Sequence, residues 1–239
     1  MSALGWVAFN AVMVWAVVFL CDGPLPRTVD SAARVATAPA VAVDLTLLLL
    51  FAAQHSVMAR RSVKAWLRRW VPAPLERTAY VLATDACLAL LFWLWQPFGG
   101  PVWQVSGVGA VGLWVLCAAG WALAVAATYA VDQPALLGLR QAGWGRPPQP
   151  VEELETGGLY AVVRHPLMTG LLLAFWATPT MGASHLLFAV AATGYVAVGV
   201  AFEERDLRRT FGPAYDAYAA RVPSVVPGLR LGRGVRQRA

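Results

Sequence analysis

Tyr160, Arg164 and His165 fall within six residues in the stretch Gly157-Gly158-Leu159-Tyr160-Ala161-Val162-Val163-Arg164-His165-Pro166. Pro166 suits the first turn of a following helix, where its missing N–H is no loss. Further on come Phe202-Glu203-Glu204-Arg205-Asp206-Leu207, then Phe211-Gly212 and Tyr215-Asp216-Ala217-Tyr218. Between the two groups lie apolar stretches broken at Thr178-Pro179-Thr180-Met181-Gly182. A helical hairpin through a membrane brings Arg164-His165 and Glu203-Glu204 to one side. Such a cluster suits a small zwitterion, with arginine for a carboxylate, glutamate for an ammonium and an aromatic face for a cation or a ring. S-Adenosylmethionine has all of these parts.

The elements that must position these residues are apolar. Of 239 residues, 59% are hydrophobic, 13% are charged and 11 are Trp. A soluble domain averages about a quarter charged residues. An all-α polytopic transmembrane helical bundle is expected, as a single integral membrane domain over 1–239. Apolar stretches near 3–20, 40–58, 78–95, 108–131 and 184–202 read as spans. The stretch 167–177 falls short of the roughly 20 residues a straight span needs, unless the Arg164-His165 region adds turns. The expectation is therefore five full spans plus one short or re-entrant helix. The first stretch lacks a preceding basic region and a clear small-residue cleavage site before Asp22, and reads as a retained span rather than a signal peptide.

Basic residues sort by side. The loop after the first stretch holds Arg27 and Arg34; the loops before the third and fifth stretches and the tail hold the other 17 of the 19 Lys and Arg. The positive-inside rule then places both termini, and the cofactor site, in the cytoplasm. The net charge of +6 reflects this sorting and does not imply nucleic acid. Arg60, Arg61, Lys64, Arg68 and Arg69, interleaved with Trp66 and Trp70, read as a helical segment at the membrane interface.

Polar side chains inside a bilayer are costly and face the bundle interior or a cavity. His55, in Gln54-His55-Ser56, is the histidine well inside a span, at the end that matches Arg164-His165. It reads as a thiol-activating base, a substrate-orienting group or a haem ligand, against a histidine merely satisfied by neighbouring helices. Asp44, Asp85 and His185 read as structural. Glu203 and Glu204 differ by about 100° around a helix, so at least one faces inward. Cys21, Cys87 and Cys117 lack metal-ligand spacing and read as buried small hydrophobes; no metal site is expected.

The final third resembles the isoprenylcysteine carboxyl methyltransferase superfamily of membrane enzymes. The resemblance rests on Gly158-Leu159-Tyr160, Arg164-His165-Pro166, Glu203-Glu204 with Leu207, Phe211-Gly212, Tyr215, Tyr218 and Val222-Pro223. Core methyltransferase motifs occupy 138–228. Over roughly 40–228 the chain resembles the methanethiol S-methyltransferases. That likeness is carried by the run from Gln54 to Arg60, Glu76-Arg77-Thr78-Ala79-Tyr80, Trp95-Gln96-Pro97, Gly138-Leu139-Arg140-Gln141, Phe175 to Met181 and Glu203 to Leu207. NnrU-like proteins and their haem-binding carotene-isomerase relatives share the His-Ser segment. Three positions depart from the patterns. Met168 replaces an aromatic, Gln133-Pro134-Ala135-Leu136-Leu137 replaces a His-Phe-Asp-Leu-Phe run, and Gly199 stands where isoprenylcysteine enzymes hold a carboxylate-binding arginine.

The resemblance implies S-adenosylmethionine as cofactor, cradled by Gln141, the loop from Glu152 to Glu155 with Glu153 and Leu154, Tyr160, Arg164, His165, Pro166 and Glu204. No glycine-rich dinucleotide fingerprint is present, so the soluble cofactor-binding fold is not expected. The partner implied is a small thiol such as methanethiol, in a membrane-lipid setting, with His55 or Glu203 taking the thiol proton. Methyl transfer to a lipid or other amphiphile, a haem-binding isomerase or redox protein, and a non-catalytic scaffold are the alternatives.

Overall fold

The computed structural model describes residues 2–145 and 153–229. In chain order the helices are α1 (Ser2–Leu20), α2 (Thr37–Met58), α3 (Arg61–Leu67), α4 (Glu76–Leu94), α5 (Gly107–Ala130), α6 (Gln133–Leu136), α7 (Pro166–Trp176), α8 (Ala183–Phe211) and α9 (Pro213–Arg221). Among the described residues, five helices are long and apolar enough to cross a membrane, and α7 is the shorter apolar one. Long helices are what a lipid environment requires, since each backbone N–H and C=O must be satisfied within the protein.

The core lies where α1, α4 and α8 meet. Phe19 packs on Phe92 with ring centroids 4.8 Å apart, and Trp95 packs edge-on against Phe19 and Phe188. The fully buried Trp95 satisfies its indole N–H by donating to Ser184 Oγ at 2.8 Å and Val29 O at 3.1 Å.

A second seam joins α5 to α7. A Cβ on Gly120 would lie 2.6 Å from Ala174 N, and one on Gly170 would lie 2.6 Å from Ala124 N. Both helices thus carry a glycine four residues before an alanine on the shared face, and their backbones touch directly. Small residues on facing stripes are how helices associate when lipid removes the hydrophobic driving force. This seam fixes α7, whose N-terminus carries the Arg164-His165 pair.

The Arg164-His165 region does not lengthen α7 with helical turns. At 11 residues the helix is about 16 Å long. Its missing length comes from the opposite end, where the chain runs extended into a strand not expected from the sequence. β1 (Pro101–Gln104) pairs antiparallel with β2 (Thr180–Gly182), Trp103 opposite Met181, with a register shift between Pro101 and Trp103. Val105 N donates to Pro179 O at 2.8 Å and Ala183 N to Gly100 O at 3.0 Å. The ribbon supplies bonds that a non-helical stretch at membrane depth would otherwise lack.

α8 also runs beyond the expected 184–202, through the charged stretch to Phe211. Ion pairs along its own surface, Arg208–Glu204 and Arg209–Asp206, support the extension. Gly212, with φ +52, ends it in a conformation that costs glycine little. The other end of α8 is held from the loop after α1. Asp30 accepts from Gly182 N at 2.6 Å and His185 N at 3.0 Å, satisfying donors that a helix start leaves free. His185 itself is buried, with Nε2 3.0 Å from Phe175 O. Asp44 accepts from Gln96 N at 2.8 Å. Both residues therefore have structural partners.

Candidate active site

Arg164 lies just before α7 and Glu204 lies on the last third of α8. The guanidinium donates from Nε and Nη2 to Glu204 Oε1, at 3.1 and 2.5 Å. Its Nη1 donates to Ala219 O and Val222 O, at the end of α9. The sequence suggests a free arginine for a carboxylate and a free glutamate for an ammonium. In the structure each is already spent, largely on the other. Ser224 Oγ and Arg208 Nη2 also donate to Glu204, at 2.9 and 3.2 Å.

The tail explains why Val222-Pro223 follows the aromatic pair. Arg164 N donates to Pro223 O at 2.9 Å, His165 N to Ser224 O at 3.1 Å and Thr169 Oγ1 to Val225 O at 2.6 Å. Tyr218, buried on α9, donates its hydroxyl to Tyr160 O at 2.6 Å. Burial pushes the Tyr218 phenol up to about 12, with nearby Arg164 opposing, so it stays a donor at neutral pH. Tail, α7 and α8 thereby form one knot.

His165 sits inside the knot with Nδ1 3.4 Å from Glu203 Oε2 and Nε2 3.4 Å from Glu204 Oε1. Burial lowers its pKa, but hydrogen bonds and charge from both glutamates outweigh this, and the net direction is up. The imidazole is held toward its charged form between two carboxylates. Pro166, fully buried, takes the first helical position of α7 beside it.

The outer rim of the knot is acidic and aromatic. Glu203 is 54% exposed, whereas Glu204 is only 12% exposed. Burial, then the negative charges of Glu203 and Glu155, raise the Tyr160 pKa. Glu153 is exposed and Leu154 half-buried at the approach to this rim, while Glu152 lies outside the described residues.

Gln141 lies in the loop after α6. Its Nε2 donates to Ala135 O at 3.0 Å, and its Oε1 is buried without a hydrogen-bond partner among the described residues. The loop is seated on α4. Gly138, with φ +86, passes so close that a Cβ there would meet Thr78 Oγ1 at 2.9 Å, and Arg77 Nε donates to Leu136 O at 2.6 Å.

His55 belongs to a separate cluster one layer deeper. Tyr80 Oη lies 2.9 Å from its Nε2 and 3.0 Å from its Nδ1, and Thr84 Oγ1 lies 3.4 Å from Nδ1. Phe51 stacks on the imidazole at 5.5 Å, and the Tyr195 ring closes the far side at 6.3 Å. Tyr195 also bonds Ser56, with their hydroxyls 3.2 Å apart. Tyr195 precedes Glu203 by eight residues on one continuous helix, about 12 Å along its axis. The structure thus brings His165, Glu203, Glu204 and Arg164 together and leaves His55 two turns away. Thr84, Tyr195, Ser224 and Arg208 were not singled out from the sequence. Of these, only Thr84 carried a signal, its place one turn after Tyr80 on a helix facing α2.

Fold and site together define a polytopic integral membrane protein with its charged cluster at one end of the bundle. The chain belongs to the NnrU protein family, which matches residues 45–219. It is 43% identical over 233 residues to methanethiol S-methyltransferase 2 of Bradyrhizobium diazoefficiens, covering 95% of this chain and 89% of that protein. It is 42% identical to methanethiol S-methyltransferase of Mycobacterium tuberculosis, covering 95% and 94% of the two chains. The Pseudomonas deceptionensis methanethiol S-methyltransferase is 45% identical, with 88% and 81% covered. No solved structure matches the chain.

Proposed function

We propose that the protein transfers a methyl group from S-adenosylmethionine to methanethiol, giving dimethyl sulfide. The observation that carries this reading is the extent of the likeness. The match to the Bradyrhizobium diazoefficiens enzyme, at 43% identity, covers 95% of the chain, and the family match takes in both the His55 cluster and the Arg164–Glu204 pair.

S-Adenosylmethionine supplies an electrophilic methyl group on a sulfonium sulfur. The rim residues suit it: the negative charges of Glu203 and Glu155, both felt at Tyr160, and the aromatic face of that ring favour a cation. His165, kept toward its charged form, and the half-exposed Arg208 offer positive charge for a carboxylate. The buried Gln141 Oε1 is an acceptor awaiting a donor, with Glu153 and Leu154 on the approach. Arg164 and Glu204 serve as the frame that fixes these groups.

The thiolate, not the thiol, is the nucleophile. We assign the thiol proton to a ring nitrogen of His55, with the Tyr80 hydroxyl orienting the imidazole. As the S–H bond breaks, the sulfur forms the new C–S bond and the methyl leaves the sulfonium with its bonding pair retained there. Charge cancels in this step, so apolar walls such as Phe51 favour it. Gly199 supports a neutral acceptor, since a Cβ there meets nothing within 4 Å and no cation stands at that point of α8. Sorting of Lys and Arg places the termini and site in the cytoplasm, which cysteine-accessibility labelling of either terminus tests.

The deciding experiment is headspace detection of dimethyl sulfide from purified full-length protein given S-adenosylmethionine and methanethiol. Dimethyl sulfide matched by S-adenosylhomocysteine is expected. Tight cofactor binding with no such product overturns the acceptor; neither binding nor product overturns the reaction.

A further inference from the structure

The segment between α2 and α4 holds none of the residues assigned to the chemistry above, yet it is the most cationic exposed stretch of the described chain. Arg60, Arg61, Lys64, Arg68 and Arg69 occur there with no acidic residue among them. Arg68 pairs with Glu76, whereas Arg60, Arg61, Lys64 and Arg69 make no ion pair among the described residues. Two large aromatics stand out into the surroundings beside them, Trp66 at 55% and Trp70 at 75% exposure.

Behind Trp70 runs a groove of about 270 Å³. Its walls are Trp70, Val71, Pro72 and Leu75 from the segment before α4 and Thr78, Ala79 and Leu82 from the first turns of α4. An apolar groove that opens at Trp70, next in the chain to Arg69 and the cations before it, fits neither a neutral thiol nor a zwitterionic cofactor. A thiol gains nothing from the cations, and a zwitterion gains nothing from the walls.

We propose that this groove seats an acyl chain of an anionic phospholipid from the facing leaflet, with the headgroup phosphate held by Arg69, next to Trp70 in the chain, and by the other cations of the same segment, Arg60, Arg61 and Lys64. Charge complementarity selects the headgroup, at about 1 kcal/mol per cation near the membrane surface. Trp66 and Trp70 fix the depth of the loop, as aromatics do at headgroup level. The groove walls select the chain by apolar contact. The site is separate from the methyl-transfer reading and stands or falls without it.

Native mass spectrometry of the full-length protein in detergent tests it, with phosphatidylglycerol and phosphatidylcholine of equal chain length as competing probes. Preferential retention of phosphatidylglycerol is expected. It should weaken about fivefold for each cation removed in Arg69→Ala and Arg60→Ala/Arg61→Ala. Ala79→Phe, which fills the groove and leaves the charge intact, should abolish the preference for a long-chain over a dihexanoyl phosphatidylglycerol. Equal retention of the two headgroups overturns the proposal. So does unchanged chain-length preference in Ala79→Phe, provided that variant keeps the parent thermal midpoint.

Discussion

Arg164 and Glu204, 40 residues apart, meet through two donors on one carboxylate oxygen, with only 10% and 12% of their side chains exposed. The pair closes the knot of α7, α8 and α9 that frames the candidate site.

Removing one partner strands the other in a site with little water. Glu204→Ala should cost about 3–5 kcal/mol, and Arg164→Ala a similar amount. The double variant should lose clearly less than the sum, because the stranded charge is gone. Thermal midpoints of the four proteins in one detergent check this; strict additivity would mean the two residues act independently.

His165 gives the knot a pH dependence with a definite sign. Its folded pKa is raised above the ordinary value of about 6.5. Its contribution is therefore complete below about pH 6.5 and is lost as pH rises through the raised value. A thermal midpoint that falls on the alkaline side, and a flatter profile in His165→Gln, are expected. A midpoint that rises over that range would reverse the assignment.

The two candidate proton acceptors separate kinetically. His55→Ala should lower kcat by about 10²–10⁴ with the cofactor Kd intact, the range for loss of a positioned base. Tyr80→Phe should lower kcat less, because the imidazole remains but loses an orienting hydroxyl. Glu203→Gln should raise the cofactor Kd more than it lowers kcat. The reverse pattern would move the proton to Glu203 and leave His55 a positioning role.

The glycine seam predicts sensitivity far from any charge. Gly170→Val places a branched side chain where a single Cβ already comes within 2.6 Å of Ala124 N. Overpacking costs about 1–3 kcal/mol where neighbours can shift, and here the neighbour is backbone. The expected outcome is a lower thermal midpoint and weaker cofactor binding, since α7 carries His165 at its end. Gly194→Val, whose Cβ would meet nothing within 4 Å, is the control.

Much of the architecture was legible because the bilayer imposes it. Long apolar runs have no alternative to helix in lipid, so α1, α2, α4, α5 and most of α8 follow from hydropathy. The β1–β2 ribbon was hidden because its residues are few and their pairing joins positions far apart in sequence, Trp103 with Met181. The far end of α8 was only partly legible: Glu203 and Glu204 read as a helix end, but the charged run to Arg209 carries no apolar signal, and its one-turn ion pairs are what extend the helix. At the site, residue types and spacing point to which groups could meet and say nothing of how they pair. Tyr160, Arg164, His165, Glu203 and Glu204 do converge, but nothing in spacing says that Arg164 is consumed by Glu204 and by the carbonyls of Ala219 and Val222. That depends on where the tail runs, which is a tertiary fact.

α8 is unbroken from the residue beside His55 to the residue beside His165. It therefore works as a ruler. Its pitch, rather than any loop, sets the interval and the angle between the His55 imidazole and the Glu203 and Glu204 carboxylates. Deleting one residue between Tyr195 and Glu203 would shorten that interval by only about 1.5 Å but turn one cluster against the other by about 100°. Neighbouring chemistry can drift by substitution in this chain, but its register along that helix cannot drift by insertion or deletion.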